Sequence, residues 1–413
     1  MLLLSRNRSQ KIAGRIAHLC LSTLLLLVFD SSTQAQQPGH TVGATLDLVS
    51  GGTNNPYDQV SGSATRPFSL FYSVFPAFNV NSTGNHSTFN FSYAGGLNRN
   101  KDKNNPNSDS HQASLLYSRL LSPKTRITFS ESFQWTADAA TFNGLRGVSA
   151  PVQDFNFVFF PVAVRRVART VNSTIAVDYT FDEKSSVSMS GSANVRNYGG
   201  GGQLGGSLLN HQGGSGTFTY RRRTGPRDTW SFAYTGSYFR FSGFDNTSSH
   251  SGSMAYAKQV TPRATFHMSV GVTEARDLKF GTNYIGYDTV ISFQRAVLKT
   301  NSISINYNQQ SGQPAGLGAV SDTRRVGFSV NHTGKRLGLF ADIAAFDTQG
   351  TLGNAFNSRG ASAAGNIGFY FSRYVSLQTG AQFQSYRQIE PFGFTQKRLF
   401  VSLRFSDPNL IRW

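Results

Sequence analysis

Residues 186–196 read S-V-S-M-S-G-S-A-N-V-R. Val187, Met189, Ala193 and Val195 share one parity, and Ser186, Ser188, Ser190, Ser192 and Asn194 share the other. A period of two puts successive side chains on opposite faces of an extended chain, so this stretch is a strand with one apolar and one polar face. The pattern recurs outward from there. In 265–273, Phe266, Met268, Val270 and Val272 alternate with Thr265, His267, Ser269 and Gly271. In 325–331, Val326, Phe328 and Val330 alternate with Arg325, Gly327, Ser329 and Asn331. Segments 375–387 and 398–405 repeat it, as do 68–80, 89–98, 126–135, 171–181, 229–241 and 302–307.

Segment length separates two all-β architectures. Strands of a soluble sandwich average about 5–6 residues. Most of these run 9–13 residues, the length that a tilted transmembrane strand requires. No amphipathic helix or fully apolar strand set is available in the sequence to cover the apolar faces. Those faces are therefore expected to meet lipid, where every backbone polar group must be paired internally and a sheet must close into a barrel.

Composition agrees. The chain has 413 residues, of which 13% are aromatic and only 15% charged, with 41 Gly. The single cysteine, Cys20, excludes an intrachain disulfide and a cysteine-held zinc or iron–sulfur centre. Residues 1–35 read as a secretory signal peptide: basic Arg6, Arg8, Lys11 and Arg15, an apolar stretch at 21–29, and small residues around Thr33-Gln34-Ala35. Cleavage is expected after Ala35, leaving 36–413 as one exported domain.

Connections alternate strictly. Short turns fall at 80–86, 122–125, 182–185, 224–228, 261–263, 298–301, 333–336 and 373–374. Long Gly/Asn/Ser-rich connections fall at 51–66, 99–110, 139–170, 199–214, 243–250, 276–285, 311–322, 349–361 and 389–394. Eight turns and nine loops imply 18 antiparallel strands, with 16 as the alternative because the first strand, 41–49, is the weakest. Short periplasmic turns with longer extracellular loops are the outer-membrane pattern.

On these residues the chain resembles the Gram-negative outer-membrane β-barrels, and among them the porins, over nearly all of its mature length. The resemblance implies localisation in the outer membrane, contact with its lipid and lipopolysaccharide, and recognition by the barrel-assembly machinery. The assembly signal in such proteins is a final strand ending on an aromatic, which Leu399, Val401, Leu403 and Phe405 match. Eight residues follow, and Asp407-Pro408 is expected to break any strand running on to Trp413, leaving open which aromatic is read. The resemblance also implies that the third outside connection, 139–170, folds inward as a constriction. Its candidate eyelet residues are Asp154, Arg165, Arg166 and Arg169, beside the apolar Phe157, Phe159 and Phe160. A latching loop or a subunit contact are the other readings of so apolar a loop.

A barrel of 16–18 strands is wide enough for an aqueous lumen. The polar stripes make passive diffusion of small hydrophilic solutes the expected function, against a sealed structural, adhesin or conduit-sheath barrel. Arg126, Arg196, Arg221, Arg223, Arg325, Arg336, Arg398 and Arg404 fall on the polar parity, opposed by Asp178 and Asp342. This excess implies weak anion selectivity. Glu131, Lys258 and Arg295 fall on the apolar parity instead. The net charge of +18 is concentrated near the short turns, which reads as attraction to anionic headgroups of the inner leaflet, an anion funnel, or a docking ring for a periplasmic partner. A homo-oligomer is a further possibility.

Other chemistry finds little footing. No basic patch interleaved with aromatics forms a nucleic-acid groove, and the chain is expected to be exported. The run 199–206 lacks the Lys-Ser/Thr of a phosphate loop. No Gly-x-Ser-x-Gly elbow or His-Glu-x-x-His pair occurs, so neither enzymatic activity nor a metal or cofactor is expected.

Overall fold

The computed structural model of the protein describes residues 39–54, 68–101, 107–136, 168–198, 210–242, 246–278, 281–312, 320–352, 357–388 and 393–412. The expected signal peptide lies outside them, as does Trp413. The strands are β1 (Gly39–Thr53), β2 (Ser69–Thr83), β3 (Ser87–Asn100), β4 (Ser108–Ser122), β5 (Thr125–Thr136), β6 (Ala168–Thr180), β7 (Ser185–Tyr198), β8 (His211–Arg223), β9 (Asp228–Phe241), β10 (Thr247–Thr261), β11 (Ala264–Asp277), β12 (Asn283–Ala296), β13 (Asn301–Gly312), β14 (Val320–Thr333), β15 (Leu337–Leu352), β16 (Asn357–Tyr370), β17 (Val375–Gln388) and β18 (Gly393–Arg412). Each pairs antiparallel with its sequence neighbours, and β1 also pairs with β18, so the sheet closes. Eighteen strands, not sixteen, form the barrel, and the weakly patterned first strand is one of them.

Closure explains why no separate core is needed. With strands about 4.8 Å apart and tilted about 40°, eighteen of them enclose a ring roughly 35 Å across between backbones. Only one small cluster of buried apolar side chains lies on the inner wall among the described residues: Val49, Phe71 and Phe400, with Phe75 against them. The outward parity carries the exposed apolar side chains instead, among them Met189 (56%), Tyr287 (65%), Val326 (54%) and Ile343 (59%). Water would not tolerate an apolar belt continuous around a barrel, since soluble surfaces rarely show patches beyond a few hundred Å². The belt faces lipid.

The strands run 12 to 20 residues, longer than the alternation alone delimits. Backbone pairing requires no apolar side chain, so the ladder continues past the lipid band into the polar connections. The largest departure is at the end of the chain. Instead of breaking at Asp407-Pro408, β18 continues to Arg412. Ala44 pairs with Asp407 and Val42 with Ile411, leaving 408–410 bulged opposite Gly43. A bulge needs no donor from proline. The missing Gly43 side chain makes the room, because a Cβ there would lie 2.9 Å from the Pro408 carbonyl oxygen.

Candidate pore and its lining

The parity fixes the inner wall. Inward hydroxyl and amide side chains meet across neighbouring strands: Ser92 with Ser114 at 2.6 Å, Ser192 with Ser215 at 2.7 Å, Thr217 with Thr235 at 3.0 Å, Ser237 with Ser249 at 2.6 Å and Ser304 with Ser329 at 2.6 Å. Thr45 and Ser406 do the same across the closing seam at 3.1 Å. These are residues that water solvates well, and their ladder runs around most of the barrel.

Charge on this wall differs from the sequence-based count. Arg126, Arg196, Arg221, Arg223, Arg325, Arg398 and Arg404 share the inward parity of their strands. Arg336 lies outside the strands, in the turn one position before β15, where its carbonyl accepts the Tyr370 N–H at 2.9 Å. Asp178 and Asp342 face inward as expected, and so do Asp47, Asp277 and Asp288. Among the described side chains on strands, the ratio becomes seven arginines to five aspartates rather than eight to two. Arg126 stands directly opposite Asp178. Arg325 lies 4.0 Å from Asp342. Arg196 Nε donates to Thr170 Oγ1 at 2.9 Å.

The closing seam holds the densest group. Arg404 makes a two-pronged bond to Asp47, Nε to Oδ1 at 2.6 Å and the second guanidinium nitrogen to Oδ2 at 2.8 Å. Above it the Arg398 guanidinium lies 4.3 Å from the centre of the buried Phe71 ring. These groups, with Val49 and Phe400, form one thickened sector of wall. Leu399, Val401, Leu403 and Phe405 take the opposite parity of β18 and face out.

Of the candidate constriction residues, Asp154, Phe157, Phe159, Phe160, Arg165 and Arg166 lie outside the described residues. Arg169 is described, and it is not an eyelet charge. It belongs to β6 on the outward parity of Ile175 and Val177, opposite Trp135, with its guanidinium 5.4 Å from that ring. The ladder of β6 begins at Ala168, so parity turns Arg169 toward the membrane. There it ends an outward aromatic series that starts mid-strand on β2 and β3 and reaches the extracellular ends of β4 and β5: Phe78–Tyr93 at 5.4 Å, Tyr93–His111 at 6.2 Å and His111–Trp135 at 5.2 Å between ring centres.

At the opposite end, the inner wall forms a recess of ≈ 440 Å³ whose lining includes Asp182, Lys184, Arg221, Arg223, Ser231 and His267. Asp182 closes its own turn, its Oδ1 accepting the Lys184 and Ser185 amides at 2.7 Å each. The Lys184 amide, above all, holds the Asp182 carboxyl below its ordinary range. Among the described residues no group of three or more His, Cys, Asp or Glu is placed to hold a metal ion.

No family model matches the chain, and no curated protein does. Solved structures do align with it. OccK9 (OpdG) of Pseudomonas aeruginosa does so at 10% identity and a TM-score of 0.49, over 89% of this chain and 98% of that one. OccAB4 of Acinetobacter baumannii gives 9% and 0.47, over 91% and 99%. The FrpB iron transporter of Neisseria meningitidis (F3-3 variant) gives 9% and 0.46 over 84% of this chain, which spans 62% of that transporter's length. These neighbours are outer-membrane β-barrels. At such identities and TM-scores the likeness says nothing of function.

Among the described residues, Asp47, Asp277 and Asp288 are the charged lining residues that sequence reasoning missed. Asp47 in Leu46-Asp47-Leu48 carries a parity signal, but its partner Arg404 is 357 positions away. Only barrel closure brings the two together.

Proposed function

We propose that the barrel is an outer-membrane channel through which small hydrophilic solutes diffuse passively. The observation that supports this reading is the division of faces: a wall of paired hydroxyl and amide groups inside and an apolar belt outside, in a ring wide enough for water. Seven inward arginines against five aspartates favour a weak preference for anions, less than an eight-to-two ratio would give. Two of the aspartates sit against arginines of the wall, Asp47 and Asp342, so their charge is largely spent locally. Arg221 and Arg223 at the periplasmic mouth are the cations most open to a passing solute. The reading assigns no catalytic step, and lipase and protease assays on the folded protein test that part of it.

Single-channel recording in a planar bilayer tests the channel. Discrete conductance steps are expected, with a reversal potential in a KCl gradient displaced slightly toward chloride. A folded, inserted barrel that never conducts would overturn the channel reading. A cation-selective one would overturn the anion preference alone.

A further inference from the structure

The ion pairs of the membrane-facing surface are unevenly distributed. At the extracellular ends of the strands, three outward cations have acidic partners, Arg99 with Asp109 at 2.8 Å, Arg324 with Asp322 at 3.4 Å and Arg359 with Asp347 at 3.0 Å, while outward Arg169 lies against Trp135. At the turn end, exposed Arg222 on β8, Lys258 on β10 and Arg295 on β12 also take the outward parity. Exposed Arg227, Arg263 and Lys299 lie in the turns beside them. The nearby acids are Asp228, at 3.8 Å from Lys258, and Asp182 and Glu183 of the neighbouring turn. Asp228 is shared, because the Tyr256 hydroxyl donates to it at 2.6 Å.

Aromatic side chains are built into this sector. Trp230 stands directly opposite both Arg222 and Tyr256. The Trp230 and Tyr256 rings lie 4.7 Å apart, tilted by 40°. Phe266 and Phe293 pair on the same face beside Lys258 and Arg295. Aromatic rings with a polar edge settle at the headgroup level of a bilayer, and basic side chains just beyond them lie where lipid phosphates do.

We propose that the outer surface of β8–β12 at the periplasmic end binds the phosphate of an anionic phospholipid in the inner leaflet of the membrane. Arg222 and Lys258, on either side of the Trp230–Tyr256 pair, take the phosphate, and Arg295, two strands further along, adds its charge to the same patch; Trp230 and Tyr256 pack against the glycerol and upper acyl region. The proposal rests on the membrane-barrel reading and adds a lipid class and a position to it. Three cations near the surface, each favouring an anionic lipid by roughly fivefold before salt and Asp228 reduce the effect, give an expected local enrichment of about tenfold.

The test uses Trp230 as its own reporter. Trp135 and Trp413 are replaced by phenylalanine in the full chain, which is folded into phosphatidylcholine vesicles containing a minor fraction of phosphatidylglycerol. Acyl chains of one lipid or the other are brominated, and Trp230 quenching is measured. Brominated phosphatidylglycerol is expected to quench several times more than its share of the bilayer. The triple variant Arg222→Gln/Lys258→Gln/Arg295→Gln is expected to lose that excess, and Lys335→Gln/Arg373→Gln, elsewhere on the rim, to keep it. Quenching in proportion to bulk composition would overturn the site. An equal loss in both variants would also overturn it, showing a diffuse rim field. Displacement by inorganic phosphate, but not by chloride of equal ionic strength, would mark a soluble-phosphate site instead and overturn the lipid assignment. Absence of quenching by either lipid would mean that the barrel is not in the bilayer, which defeats the underlying reading rather than this site.

Discussion

The bond between Asp47 and Arg404 fastens the first strand to the last, and its loss should be felt by the whole barrel. The two side chains are 8% and 13% exposed and meet through two hydrogen bonds of 2.6 and 2.8 Å. Charges about 4 Å apart at an effective dielectric of 20 attract by about 4 kcal/mol. Removing one partner of a buried pair leaves the other unpaired, at a cost of about 3–5 kcal/mol. The lumen gives the orphaned group some access to water, so about 3 kcal/mol is expected for Asp47→Asn or Arg404→Gln. Replacing both, as Asp47→Leu/Arg404→Met, should recover most of that loss, because apolar side chains of similar volume can extend the adjacent Val49–Phe71–Phe400 cluster. Reversible urea unfolding in lipid vesicles, followed by tryptophan fluorescence and by heat-modifiable gel migration, measures all three. Single variants within about 0.5 kcal/mol of the parent, the range of ordinary surface substitutions, would refute the idea that this pair secures closure.

Other outcomes follow from the same geometry. Gly51→Ala should destabilise the barrel by about 3 kcal/mol, since its Cβ would collide with the Leu399 carbonyl oxygen and lie 2.7 Å from Phe71 Cζ; the same unfolding assay reads it. Glu131 faces lipid midway along β5, between Leu115 and Ser173, so Glu131→Leu should raise folding stability in vesicles by about 1–2 kcal/mol, the lower part of the range for a lipid-facing charge. Arg221→Ser/Arg223→Ser should move the KCl reversal potential toward cations, by up to about fourfold in permeability ratio per charge, about twofold on each ion, for ions passing at ~10 Å through water before salt screening. Asp182 owes its lowered carboxyl range to the turn it closes. Its contribution is therefore present above the ordinary carboxylate range and lost as pH falls through its own lower value. Asp182→Asn should leave the protection of the Lys184 and Ser185 amides, measured as exchange relative to the intrinsic rate at each pH, similar above and below that window, where the parent's protection falls on acidification.

The architecture was legible because a barrel writes itself in local terms. Alternation such as Val187-Ser188-Met189 identifies a face without knowledge of the neighbouring strand, and turn spacing sets the strand number. Parity even kept Glu131, Lys258 and Arg295 on the outward face, where the pairing of their strands puts them. What escaped depends on where a strand begins or ends. Arg169 reads as loop until β6 is seen to start at Ala168, and a single position then decides between lumen and lipid. Arg336 is a boundary case of another kind: it stands in the turn one position before β15, at the rim rather than on the wall.

The lining charges show a second limit, with a consequence for function. Arg404 looks like a free pore cation until closure brings Asp47 to it, and Arg325 gains Asp342 only across two paired strands. Charge counted along the sequence therefore overstates the field a solute meets, because cross-strand pairing neutralises locally what composition counts globally. The turn end is different. Its cations outnumber the acids on the same turns and strand ends, and strand parity sorts them into three groups. Arg126, Arg221 and Arg223 take the inward parity, while Arg119, Arg222, Lys258 and Arg295 take the outward one. The rest stand on the turns between. One basic rim thus acts on two different environments. Substitutions on the inward parity should change ion selectivity and leave lipid preference alone, and substitutions on the outward parity should do the reverse.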